Sequence, residues 1–443
     1  MVNVRIPKRM SNALINSLTA GVVPRIGLEH ITVGRKKEID VLLNDLENIK
    51  EGGAFFRFIS GSYGSGKSFL IQVIRNYSLD RGFVTSDVDL SPEKRLVGAK
   101  GQGQATYREL MQNIAIAARP DGGALESLLQ KWIQNLHIEA MNEHGLSMDS
   151  PELKTEVRKK IFDIIGSMRG MNHGFDFSIA LAGYWEGYKT ENEDLKQAAL
   201  RWLRGEFNTK TEAKAFLKVS EIINDENWYD YIKLFSKFIS MVGYDGFVLF
   251  IDEGINLYKI TNKIARDSNY EKLLSMFNDT MQGKASHLGI LFGATPKLIK
   301  DERRGLYNYG ALRSRIETAG FSGNNGYIDL SGPVMELKIL SNEEIFLLLN
   351  KLSDVHSQHY NYEPAITDND FIQFMQAISG RLGVDELLTP REVTRDFLRI
   401  LNILYQNEEA TFSGVLNSEE GAVKPAEKNP ETEDDDLFAG FEL

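Results

Sequence analysis

Residues 61 to 68 read Gly-Ser-Tyr-Gly-Ser-Gly-Lys-Ser and fit the pattern G-x-x-x-x-G-K-[ST] at every fixed position. No other stretch constrains the fold as tightly. The pattern works only where a buried strand feeds a tight loop and the loop opens a helix. Both flanks comply. Ala54 to Ile59 is a largely apolar run that predicts a buried strand, and Phe69, Leu70, Val73 and Ile74 follow at helical spacing. Gly61, Gly64 and Gly66 let the backbone bend sharply and turn its N–H groups toward phosphate oxygens. With Ser62, Tyr63, Ser65 and Phe69 they form the expected cradle. Lys67 is expected to reach the β- and γ-phosphates, and Ser68 to offer its hydroxyl to Mg²⁺. The ligand implied is a nucleoside triphosphate, ATP, with Mg²⁺.

A second stretch completes the chemistry. Gly246 to Glu253 reads Gly-Phe-Val-Leu-Phe-Ile-Asp-Glu. Five apolar residues ending in two carboxylates predict a buried central strand with acids at its C-terminal tip, where ligands bind in open α/β sheets. Asp252 is assigned to the metal and Glu253 to polarising the attacking water. Leu288 to Thr295 is a further buried strand. Thr295 either senses the γ-phosphate or is a satisfied strand-end hydroxyl. Phe83 to Leu90 alternates and predicts a less buried strand, and Val334 to Leu337 a short last one. Together they imply an α/β fold with a five-stranded parallel sheet.

The remaining segments divide the 443 residues. Residues 1–54 are an N-terminal segment carrying Val33-Gly34-Arg35, a turn placed to hold the adenine or simply to lie on the surface. Residues 55–337 form the core. Thr106 to Ala118 has helical spacing. About 120–243 is an all-helical insertion whose Trp185, Trp202 and Trp228 read as core rather than ligand contacts. Arg313 and Arg315 either reach a neighbouring subunit's γ-phosphate or sit in a salt-bridged surface. Residues 338–410 form a helical lid, opened by the capping box Ser341-Asn342-Glu343-Glu344. Its last helix starts at Pro390, so that Arg391 faces the nucleotide or the solvent. Residues 411–443 read as a disordered acidic tail.

That tail skews the charge. From Glu419 to Leu443 there are nine acidic residues and two lysines, −7 of the net −11. Such a balance opposes broad adhesion to nucleic acid or anionic membrane. The tail's Asp434-Asp435-Asp436 followed by Phe438 and Phe441 reads as a docking peptide or as a solubilising end. The chain has no cysteine, and no run approaches a membrane span. The first ten residues lack an apolar signal core. A cytoplasmic protein is expected. The basic clusters Lys8-Arg9, Arg35-Lys36-Lys37, Arg158-Lys159-Lys160 and Arg303-Arg304 interleave no aromatics, so any DNA contact is expected at the backbone.

The order of strand, P-loop, acidic strand, Thr-ended strand, arginines and helical lid resembles AAA+ ATPases, and more distantly their origin-recognition clade. A closer resemblance is to the P-loop ATP-binding family of bacterial BREX-type phage-defence islands, the group around BrxD. It rests on Gly27-Leu28-Glu29-His30, Asp87-Val88-Asp89-Leu90-Ser91-Pro92, Arg201-Trp202-Leu203-Arg204-Gly205, Phe250-Ile251-Asp252-Glu253 and Leu388-Thr389-Pro390-Arg391-Glu392, beside the loop itself. The resemblance implies an oligomeric ATPase acting on double-stranded DNA or with a helicase or nuclease partner. The alternatives are a nucleotide-gated adaptor that recruits its effector through the tail, which the intact Lys67, Ser68, Asp252 and Glu253 disfavour, and a helicase-loader-like ATPase, which the lack of a winged-helix pattern disfavours. Thr295 stands where many AAA+ proteins carry Asn, and no winged-helix pattern follows the lid.

Overall fold

The computed structural model describes residues 5–317, 329–364, 366–379 and 389–418. The chain opens with α1 (Lys8–Thr19) and α2 (Lys36–Lys50), then β1 (Ala54–Ser60), α3 (Lys67–Asp80), β2 (Val84–Asp89) and α4 (Gln102–Gln112). Six helices follow: α5 (Leu125–His144), α6 (Pro151–Met168), α7 (Gly174–Lys189), α8 (Glu193–Leu203), α9 (Lys210–Leu217) and α10 (Trp228–Met241). After them come β3 (Phe247–Asp252), α11 (Ile255–Tyr258), α12 (Lys263–Met281), β4 (Leu288–Ala294), α13 (Pro296–Lys300), α14 (Gly310–Ile316) and β5 (Val334–Glu336). The described chain closes with α15 (Asn342–Tyr360), α16 (Asp368–Ser379), α17 (Pro390–Gln406) and α18 (Phe412–Asn417).

The five strands form one sheet in the order β2-β3-β4-β1-β5. The β1–β4, β4–β3 and β3–β2 pairs are parallel. Burial follows position. β1, β3 and β4 are inside the sheet, and their near-continuous apolar runs suit strands covered on both faces. β2 lies at the edge and exposes Asp89. Its outer side is closed by a two-way bridge in which Thr85 and Ala115 exchange N–H···O bonds of 3.0 and 2.8 Å. The bridge explains one departure from the sequence reading. Helical spacing runs through Ala117, yet α4 stops at Gln112 because Ala115 is drawn into pairing with the sheet edge.

Packing divides the chain into two compact units. One comprises Met1–Ile39, Gly61–Val73 and Glu336–Leu443, the other Asp40–Ser60 and Ile74–Met335. In the first, α1, α15 and α17 pack on one another, with α16 and α18 beside them. The ends of these helices are fixed by side chains. Ser341 and Glu344 close a reciprocal capping box on α15, and Thr389 caps α17. The expected loss of structure after Ala410 is corrected for residues 411–418. Thr411 caps α18 by accepting the Gly414 amide. The rest of the tail, with Phe438 and Phe441, lies outside the described residues.

In the second unit, a ring cluster of Phe56, Phe58, Phe277 and Phe292 fills the sheet interior at centroid spacings of 5.0 to 6.3 Å. Trp185, Trp202 and Trp228 are buried in the helical insertion. Trp202 and Trp228 give their indole N–H groups to the carbonyls of Glu221 and Leu96, so their apolar bodies pack while their one donor is satisfied. Among the described residues no helix is long and apolar enough to cross a membrane.

Candidate functional site

The phosphate loop leaves the end of β1 at Gly61 and becomes α3 at Lys67. Gly64 and Gly66 have φ of +74° and +93°, the left-handed region that side chains avoid. Gly61 is not left-handed; there a side chain would collide with Ser65 and press on Leu337. The Lys67 ammonium curls back and donates to the carbonyls of Gly61 (2.7 Å) and Ser62 (2.9 Å). Ser68 is exposed on the first turn of α3, and Phe69 beside it is half-buried. Ser65 is 2% exposed, and its hydroxyl has no hydrogen-bond partner.

Arginines hold this loop from outside. Arg35 is 6% exposed. It donates to the carbonyls of Ser65 (3.0 Å) and Lys338 (2.6 Å) and reaches Glu38 at 3.4 Å. The turn before it is fixed in turn by α15. The Lys351 ammonium donates to the Thr32 carbonyl at 2.7 Å, and a side chain at Gly34 (φ +66°) would run into the Glu344 carboxylate. Burial pulls the Lys351 pKa below its ordinary value. Val33 and Gly34 thus lie in a braced turn, and the Arg35 guanidinium is committed to protein oxygens. On the other side of the loop, Arg391 bonds the Tyr63 hydroxyl at 2.5 Å.

The acidic tip is assembled separately, by strands. Asp252 ends β3 and pairs in register with Asp89 at the end of β2. The Leu90 amide donates to the Asp252 carbonyl at 3.0 Å, and the Gly254 amide to the Gly293 carbonyl at 3.1 Å. Glu253 bulges out between them with φ +56°, a conformation that costs a side-chain-bearing residue energy and clusters at functional sites. Its amide donates to Asp252 Oδ1 at 2.8 Å, which orients that carboxylate. Asp89 has a raised pKa: its side chain reaches solvent, but the protein packed around the carboxylate still strips part of its hydration, and the negative charges of Asp252 and Asp87 add to this against the opposing pull of Lys94.

Thr295 is buried after β4 and caps α13, its hydroxyl accepting the Leu298 amide at 3.2 Å. Arg313 is shared between Glu302 (3.3 Å) and Glu317 (3.2 Å). Arg315 donates to Asn278 (2.8 Å) and to the Ala311 carbonyl (2.6 Å). Both arginines are solvent-exposed in part. Sequence reasoning had no signal for the left-handed Glu253, for the Arg35 ties or for the Tyr63–Arg391 pair. Asp89 was visible only as part of a resemblance.

The residues fit a nucleoside triphosphate and a hard cation. The loop has left-handed glycines, open space where a side chain on Gly66 would stand, and a buried hydroxyl without a partner. No group of three or more His, Cys, Asp or Glu suited to a metal occurs among the described residues. Ser68 and Asp252 are oxygen donors of the right kind.

A five-stranded α/β sheet with this loop on β1 defines a P-loop nucleotide-binding protein. The chain belongs to the BREX system ATP-binding protein BrxC/D family, whose model matches residues 6–420. Its role is ATP binding in phage defence. No curated protein matches the chain.

Proposed function

We propose that the chain is an AAA+ ATPase that hydrolyses ATP as a homo-oligomer and couples turnover to DNA or to a DNA-processing partner. The observation that carries this reading is the coexistence of a complete phosphate loop with Asp252 and an outward, left-handed Glu253 at a central strand tip. A carboxylate carried outward on a left-handed backbone at a strand tip is the kind of feature that concentrates at functional sites. In this reading the loop amides and Lys67 carry the phosphate charge, and Val33 and Gly34 border the adenine. Ser68 and Asp252 hold Mg²⁺, which when bound neutralises charge on the phosphates. Glu253 orients and polarises the attacking water. Arg391 responds to the terminal phosphate, and Arg313 or Arg315 serves a neighbouring protomer's site; the Thr295 hydroxyl is instead used as the cap of α13. Helices α15–α17 act as the lid.

In this reading, contact with double-stranded DNA draws on cations of the helical insertion. Arg158 lies over Phe162 at 5.5 Å and Lys189 over Trp185 at 5.3 Å, and the two rings meet at 5.7 Å. Phe162 is exposed while Trp185 is buried, so Arg158 and Lys189 offer charge there rather than an aromatic platform. Such a surface takes backbone phosphates in a salt-sensitive way.

The test is steady-state hydrolysis by the full chain, with and without double-stranded DNA. Glu253→Gln is expected to lower turnover by at least ~100-fold while ATP still binds, and Lys67→Ala to lose binding. Wild-type turnover no higher than that of Glu253→Gln would overturn the hydrolytic reading and leave a nucleotide-gated adaptor.

A further inference from the structure

Tyr63 occupies a loop position where phosphate chemistry accepts any residue; the cradle uses its backbone, and none of the roles above uses its side chain. Tyr63 is 45% exposed. Arg391 engages it twice, through the 2.5 Å bond to the hydroxyl and by lying 5.5 Å from the ring centroid. The helix carrying Arg391 is fixed independently at the same place. Thr389 accepts the Glu392 amide (3.3 Å) and donates to the Glu392 carboxylate (2.7 Å). A side chain on Gly64 would collide with Thr389. The first turn of α17 is therefore built down onto the loop, and Tyr63 is the loop residue that receives its guanidinium.

We propose that Tyr63 is the positioning residue for Arg391, holding its guanidinium over the phosphate loop and thereby setting how strongly the chain prefers a nucleoside triphosphate to a diphosphate. The inference rests on the nucleotide-binding reading above. An unsupported arginine on an exposed helix surface samples many rotamers and loses that freedom on meeting a phosphate. The Tyr63 ring removes most of it beforehand. The hydroxyl is a weaker acceptor than a phosphate oxygen. The guanidinium can leave it for the terminal phosphate and stay on the ring face. A diphosphate offers no oxygen at that third position, so the benefit falls on the triphosphate alone.

The experiment is equilibrium titration of the full-length chain with a fluorescent non-hydrolysable ATP analogue and with the matching ADP. Tyr63→Leu is expected to weaken the triphosphate ~5- to 10-fold and ADP less than ~2-fold. Tyr63→Phe keeps the ring and is expected to lose only ~2- to 3-fold for the triphosphate, which keeps the test decisive should Tyr63→Leu not fold. In an Arg391→Ala background, Tyr63→Leu should add nothing. Equal losses for both nucleotides, or losses that add in the double variant, would overturn the proposal and reduce Tyr63 to a shaper of the loop. The underlying reading fails separately: it falls if the wild-type chain binds neither nucleotide, or if Lys67→Ala binds as well as wild type.

Discussion

The phosphate loop and the acidic tip of β3 are both short turns following buried strands, but they are held in opposite ways. The tip is shaped locally, by ladder bonds such as Leu90 to Asp252 and by the Glu253 amide on its neighbour's carboxylate. The loop is shaped remotely. Its carbonyls and Tyr63 are gripped by Arg35 and Arg391, 30 and 328 residues away in sequence. A turn held by its own strands changes only when the strands change. A turn held by distant side chains can be loosened one side chain at a time.

The largest effect that tests this contrast is at Arg35. Arg35→Met removes a buried donor from two carbonyls and from Glu38, and nucleotide affinity should fall ~10- to 100-fold in a binding titration. Unchanged affinity would mean that the loop keeps its shape without help. A smaller effect is expected at the tip. Glu253→Gly and Glu253→Ala both remove the carboxylate, but only glycine relieves the left-handed backbone. Denaturant unfolding should show the glycine variant more stable by ~1 kcal/mol, and equal stability would mean that the strands impose no strain there. The smallest is at Asp89. Its raised pKa means that the folded chain disfavours the ionised carboxylate. Asp89→Asn should therefore raise the melting temperature by about 1–3 °C at pH 7. The gain should shrink as the pH falls through the raised pKa, and vanish below the ordinary value of 3.8, where both side chains are neutral.

Much of the sheet was legible because β1, β3 and β4 announce themselves as apolar runs bounded by turns, and because a P-loop needs a strand before it and a helix after it. The all-helical reading of about 120–243 likewise matches α5 to α10. What escaped depends on partners distant in sequence. The Ala115 bridge ended α4 early by a tertiary contact that no local period encodes. Nothing in a Val-Gly-Arg turn says that its arginine will turn inward to Ser65 and Lys338 rather than outward to a ligand. Glutamate has no preference for positive φ, so the conformation of Glu253 is set by the strands around it. At Thr295 the sequence left two uses open, a phosphate sensor or a satisfied strand-end hydroxyl, and its hydroxyl is used as the cap of α13.

The unit that contains the phosphate loop is drawn from three separate pieces of chain, the last beginning at Glu336. During synthesis from the N-terminus, all of residues 40–335 can emerge while the loop still lacks the Lys338 carbonyl that shares Arg35, and Arg391 as well. At ordinary translation rates the delay is on the order of ten seconds. The nascent chain thus carries a finished phosphate-loop sequence before it carries all the contacts that hold the loop, and the last of these, from Arg391, arrives only with α17.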